Sequence, residues 1–149
     1  MSTPHPEREW ILREHIELPN AKWRPIAFAP TDDPLLARFG GAFDVMGDGS
    51  MILLPTPGHT PGSMSMLVRS EGLPPILLVG DLTYEADLLF QDKVPGTGNA
   101  KQLRASFANV RALNVELPDL VILPSHDPRT GDALKRALEE KRSRSRRHD

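Results

Sequence analysis

Thr56-Pro57-Gly58-His59-Thr60-Pro61-Gly62-Ser63 stands between two short apolar stretches, Met51 to Leu54 and Met64 to Val68. Its two Pro-Gly pairs supply turn chemistry, so the octet reads as a loop joining two strands. Upstream, Phe43 and Val45 alternate with Asp44, and Gly47-Asp48-Gly49-Ser50 marks another turn. Downstream, Met64, Met66 and Val68 alternate with Ser65 and Leu67, which predicts a strand over Ser63 to Arg69. Pro75 to Gly80 is nearly all apolar and ends in Gly80-Asp81, the pattern of a strand covered on both faces. Asp119 to Pro124 is a second run of that kind.

Helical spacing appears between and after these runs. Asn99 is placed to cap a helix, with Gln102 three residues on and Leu103, Phe107 and Val110 on one face. Leu117-Pro118 closes it. Thr130 is placed to cap a final helix carrying Asp132 in its first turn and Leu134 and Leu138 four apart. Strands thus alternate with helices in the second half, which predicts a layered α/β domain with a mixed sheet and flanking helices. Residues 1–42 read as an irregular leader, punctuated by Pro19, Pro25, Pro30 and Pro34, with a helical turn at Leu35 to Phe39 closed by Gly40-Gly41. Residues 141–149 form a basic tail expected to be disordered, because like charges repel and no apolar residue anchors them. The body of the domain then lies in residues 43–140.

Composition narrows the function classes. A chain of 149 residues is the size of one ordinary domain. With no Cys there is no disulfide framework, thiolate metal site or Cys nucleophile. Aromatic residues are 5% of the chain and the net charge is −2, which argues against base-stacking platforms and against a basic field that draws nucleic acid. The first twenty residues carry Glu7, Arg8, Glu9, Arg13 and Glu14 without an apolar core, so a secretory signal is not expected. The apolar runs are far short of a membrane span of about 20 residues. A soluble, cytoplasmic protein is the expectation.

Three ligand-type side chains follow three predicted strands. His59 comes after the first, Asp81 after the Pro75 to Gly80 run and His126 after the Asp119 to Pro124 run. In layered α/β folds ligands gather in the crevice outside the carboxyl ends of strands. Two imidazoles and a carboxylate suit zinc or iron, and a carboxylate has two oxygens to share between two ions. Each residue also has a plain alternative, the histidines as turn residues and Asp81 as a cap on the next segment.

Thr56 to Ser63, then Gly80-Asp81, then Ser125-His126-Asp127, resemble the later motifs of the metallo-β-lactamase superfamily over about residues 43–140. The resemblance implies the C-terminal half of an αββα sandwich. It makes His59 a ligand of one metal, His126 a ligand of a second and Asp81 the bridge between them. Asp81-Leu82-Thr83-Tyr84 is most similar to the quorum-quenching lactonases, which open N-acyl-homoserine lactones and carry a Tyr three residues after the bridging Asp. Tyr84 is thereby implied as the catalytic hydroxyl that stabilises the developing oxyanion. Thioesterases of the glyoxalase II type tend to have Leu-Phe soon after that Asp and are disfavoured. The implied cofactor is zinc, up to two ions in a complete member, with iron or manganese as substitutes.

One family motif, His-x-His-x-Asp-His, is absent, and His5 and His15 stand alone. The resemblance therefore implies a truncated product, a mis-called start or a degenerate relative, with weak or no metal binding by this chain alone. The expected partners are a small ester or lactone and either a second copy or a complementing N-terminal half, with no nucleic acid or membrane. A metal-dead half-domain acting only by association is the reading from another class. Met64 and Met66 are assigned either to the core or to a groove for an acyl chain.

Overall fold

The computed structural model describes residues 17–146. A 3-10 turn, Ala37–Phe39, is closed by left-handed Gly40. Then come strands β1 (Phe43–Asp44), β2 (Met51–Pro55), β3 (Met64–Val68) and β4 (Ile76–Gly80). Helices α1 (Ala86–Phe90) and α2 (Ala100–Glu116), strand β5 (Val121–Pro124) and helix α3 (Thr130–Ser145) complete the order.

The strands lie side by side in chain order. Strands β1 to β4 pair antiparallel, and β5 pairs parallel with β4. Tight turns suffice for antiparallel neighbours, whereas a parallel pair needs a crossover; α1 and α2 provide it. The result is the mixed sheet with flanking helices that the sequence implied. Since β2, β4 and β5 run in the same direction, their carboxyl ends share one edge of the sheet.

Register decides which side chains are covered. Ile52, Leu67, Leu77 and Ile122 align across four strands on one face. They join Leu103, Phe107, Val110 and Leu113 of α2 in the core cluster. Burying each such side chain contributes about 1.5–3 kcal/mol. Asn99 caps α2 as its position predicted, its side-chain oxygen accepting from the Gln102 N–H at 3.1 Å.

The opposite face carries Leu53, Met66 and Leu78 in register, beside Met51, Val68 and Ile76. Leu78 is 40% exposed. The run from Pro75 to Gly80 is therefore not covered on both faces as expected, because this side of β4 has no complete covering layer among the described residues. Among the described strands only β5 is buried along its whole length. Met64 and Met66 sit on the same open face, the first exposed and the second half-buried, so neither belongs to the core.

Two expectations about the C-terminal region are corrected. The chain does not lose order at residue 141, since α3 runs on to Ser145. Its cations are not left to repel one another: Arg144 reaches Asp119 at 2.9 Å, with Lys141 at 3.9 Å from the same carboxylate. The rest of the predicted tail, residues 147–149, lies outside the described residues. Thr130 does not cap α3 either; Arg129 holds the cap position, and the Thr130 hydroxyl donates to the Pro124 carbonyl at 3.0 Å. Among the described residues no helix is long and apolar enough to cross a membrane.

Candidate metal centre

The octet that joins β2 to β3 is bonded to itself and to α2. Within it, Gly58 N–H donates to the Thr60 carbonyl at 3.1 Å, and the Thr60 and Ser63 hydroxyls meet at 2.9 Å. At its base the buried hydroxyls of Thr56 and Ser65 pair at 2.9 Å. Toward α2, the Ser106 hydroxyl donates to the Pro57 carbonyl at 2.8 Å, and Asn99 N–H donates to the Gly58 carbonyl at 2.7 Å. Two glycines permit this approach. A Cβ on Gly58 would lie 2.7 Å from the Leu103 backbone nitrogen, and one on Gly98 would lie 2.8 Å from the His59 Cα. Gly98 also has φ +84, in the left-handed region.

Gly98→Ala is accordingly expected to destabilise the chain by about 2–5 kcal/mol, about 1–2 from the left-handed conformation and about 1–3 from overpacking. Urea unfolding of the variant measures it; an unchanged midpoint would mean that the 96–99 loop moves aside freely.

Asp81 follows left-handed Gly80 at the end of β4, and His126 follows β5 by two residues. Ser125 N–H donates to the Gly80 carbonyl at 3.1 Å and carries the parallel pairing right up to both residues. Beyond that point Asp127 and Arg129 hold the two loops together. The buried Asp127 carboxylate accepts from Ala86 N–H at 3.2 Å, from Arg129 N–H at 2.9 Å and from the Arg129 guanidinium at 2.9 and 3.0 Å. The hydrogen-bonded guanidinium holds the Asp127 carboxyl down to about 2. Arg129 reaches on to Asp87 at 2.7 Å and Glu85 at 3.2 Å. Neither Asp127 nor Arg129 stood out in the sequence as a site residue. The Asp-Pro-Arg run after His126, with an Asp able to bond its own backbone two residues on, was the local signal.

The three residues picked from the strand ends come together. His59 Nε2 lies 3.6 Å from one oxygen of Asp81, and His126 Nε2 lies 3.2 Å from the other. The first distance is beyond hydrogen-bond range and the second at its long limit. The first matches the separation of two ligands on one ion and the second falls just short of it: metal–donor bonds of about 2.0–2.2 Å in a tetrahedron separate neighbouring donors by about 3.3–3.6 Å. Solvent reaches all three side chains, which are 29%, 41% and 60% exposed in the order His59, Asp81, His126. Among the described residues no group of three or more His, Cys, Asp or Glu side chains is placed to hold a single ion.

Tyr84 stands at the same edge. Its ring meets the His126 ring edge-on, with centroids 5.5 Å apart, and its hydroxyl lies 3.4 Å from the Thr97 hydroxyl. A cavity of about 350 Å³ lies elsewhere. It lies between α3 and β5, lined by residues such as Val121, Ala133 and Ala137, and contains none of these four side chains.

A mixed sheet with imidazole, carboxylate and imidazole collected at the carboxyl ends of β2, β4 and β5 defines a class of layered α/β domain. The chain belongs to the metallo-beta-lactamase superfamily, whose family model matches residues 2–126. That match takes in the N-terminal segment set apart above as a leader. The chain is 30% identical over 133 residues to the N-acyl homoserine lactonase AttM of Agrobacterium fabrum (strain C58), covering 86% of this chain and 45% of that protein. It is 49% identical over 80 residues to the gamma-lactamase MBL2 of Gibberella moniliformis, covering 52% of this chain and 30% of that one. Among solved structures, an N-acyl homoserine lactone hydrolase with N-hexanoyl-L-homoserine bound at its catalytic metal centre matches with a TM-score of 0.53 and 26% identity. That match covers 62% of this chain and 36% of the hydrolase. The chain thus spans about half the length of the curated relatives it matches.

Proposed function

We propose that this chain forms the C-terminal half of a metal-dependent lactonase that opens N-acyl-homoserine or similar lactone rings. The observation that carries the reading is the Asp81 carboxylate set between His59 and His126, one imidazole nitrogen to each oxygen. His59, Asp81 and His126 would hold the metal, and zinc fits these donors best. When bound, the metal polarises the lactone carbonyl and activates water. Tyr84 donates its hydroxyl to the oxyanion that develops as the carbonyl is attacked. To do so it turns from Thr97, whose hydroxyl holds it only weakly at 3.4 Å.

The donor set is short. Zinc sites generally take three or four protein ligands, and here each of two ions would have one histidine and a share of Asp81. Among the described residues His59 Nδ1 is also buried without a hydrogen-bond partner. A ligating imidazole normally donates its second N–H to an acceptor. Both deficits support a complementing N-terminal half that bears His-x-His-x-Asp-His and supplies the missing groups.

The chain alone is expected to bind zinc weakly and to hydrolyse lactones barely or not at all. The test measures zinc per chain and turnover of an N-acyl-homoserine lactone, with and without the added half. Completion should bring two zinc ions and turnover together. Two tightly held ions and brisk turnover in the chain alone would overturn the incompleteness, and no turnover in the completed pair would overturn the lactonase reading. A second reading, a metal-dead half-domain that acts by association, is favoured by the lack of any three-ligand group among the described residues. It predicts that the added half binds without zinc uptake.

A further inference from the structure

We infer that Arg129 is a positioning residue, which sets His126 against Asp81 by clasping the loop after β5 to the loop after β4. The inference rests on the metal-site reading for its purpose but not for its geometry.

His126 is the most exposed of the three ligand-type side chains. Its ring touches the edge of Tyr84 and one oxygen of Asp81. Its placement therefore depends on the backbone that carries it. That backbone is shaped by Asp127, which bonds Arg129 N–H through its side chain and Thr130 N–H through its carbonyl. Asp127 in turn is fixed by the fork of Arg129, whose Nε and Nη2 bind its two oxygens.

The same guanidinium then crosses to the other loop. Its Nη1 binds Asp87, its Nη2 binds Glu85, and Asp127 takes the Ala86 N–H between them. Asp81 begins that loop. One planar cation thus spans three carboxylates and fixes the spacing of the two segments that present Asp81 and His126. A lysine offers a point charge in place of this fork and cannot serve all three at once. The pairs with Glu85 and Asp87 are exposed and worth little to stability. Asp127 is buried, so losing the fork from it also costs folding stability.

The test compares the full chain with Arg129→Gln and Arg129→Lys. The first readout is the nuclear Overhauser contact between the Tyr84 and His126 rings in metal-free protein. The second is affinity for zinc alone, by competition with a chromophoric chelator. Arg129→Gln should lose the ring contact and weaken zinc binding by about 10–100-fold, the usual cost of removing an outer-shell partner. Arg129→Lys should recover part of each. An unchanged ring contact with unchanged zinc affinity would overturn the inference. Should Arg129→Gln not fold, the double variant Glu85→Gln/Asp87→Asn decides, since it cuts the crossing bonds and leaves Arg129 on Asp127; it must show the same loss of ring contact. Asp81→Asn separates the two readings. If it binds zinc as the parent does, the metal-site reading fails, and the ring contact alone then judges Arg129.

Discussion

Asp81→Asn in the completed enzyme is expected to abolish most lactone hydrolysis, with a fall of about 10³-fold in kcat/KM. The change keeps the shape of the side chain and removes its charge and one of its two anionic oxygens. Both imidazoles face this one carboxylate, at 3.6 and 3.2 Å on different oxygens, so on the proposed reading a single substitution would weaken both metal positions. Losing even an outer-shell partner costs about 10–100-fold in metal affinity, and a shared direct ligand is lost twice over. Zinc per chain and lactone turnover should fall together. If both persist, Asp81 is a turn residue that happens to lie between two histidines.

Tyr84→Phe is expected to lower kcat for lactones by about 10–10³-fold, the upper figure being the loss of one oxyanion donor. The ring remains, so its edge contact with His126 at 5.5 Å survives. Zinc content should therefore not change, which separates this variant from Asp81→Asn. Among the described residues the bond it loses in the resting protein is the long one to Thr97. Full turnover in the variant would assign Tyr84 to packing on His126.

What the sequence made legible was the local chemistry. The Pro-Gly pairs around His59, the Gly80-Asp81 strand end and the apolar run before His126 each announce a strand and its exit, and the parallel directions of β2, β4 and β5 bring those exits to one edge. Residues that work across the sequence were not legible. Nothing near Gly98 says that its missing Cβ leaves room for His59, and nothing near Arg129 says that Glu85 and Asp87 await it. The nearly all-apolar run from Pro75 to Gly80 misled at Leu78, because an apolar residue in a strand looks the same whether or not a second layer covers it. Like-charge reasoning misled at residues 141–145, because Asp119 is brought to Lys141 and Arg144 by the turn between α2 and β5.

The parallel seam between β4 and β5 also divides the candidate site by chain separation. Strands β2, β3 and β4 form a meander whose pairings close over short loops at little cost in chain entropy. Strand β5 meets β4 only across the whole α1–α2 crossover, a longer closure. His59 and Asp81 follow strands of the meander, whereas His126 follows β5. Two of the three residues thus rest on local pairing and the third on the long-range seam that Ser125 and Gly80 close.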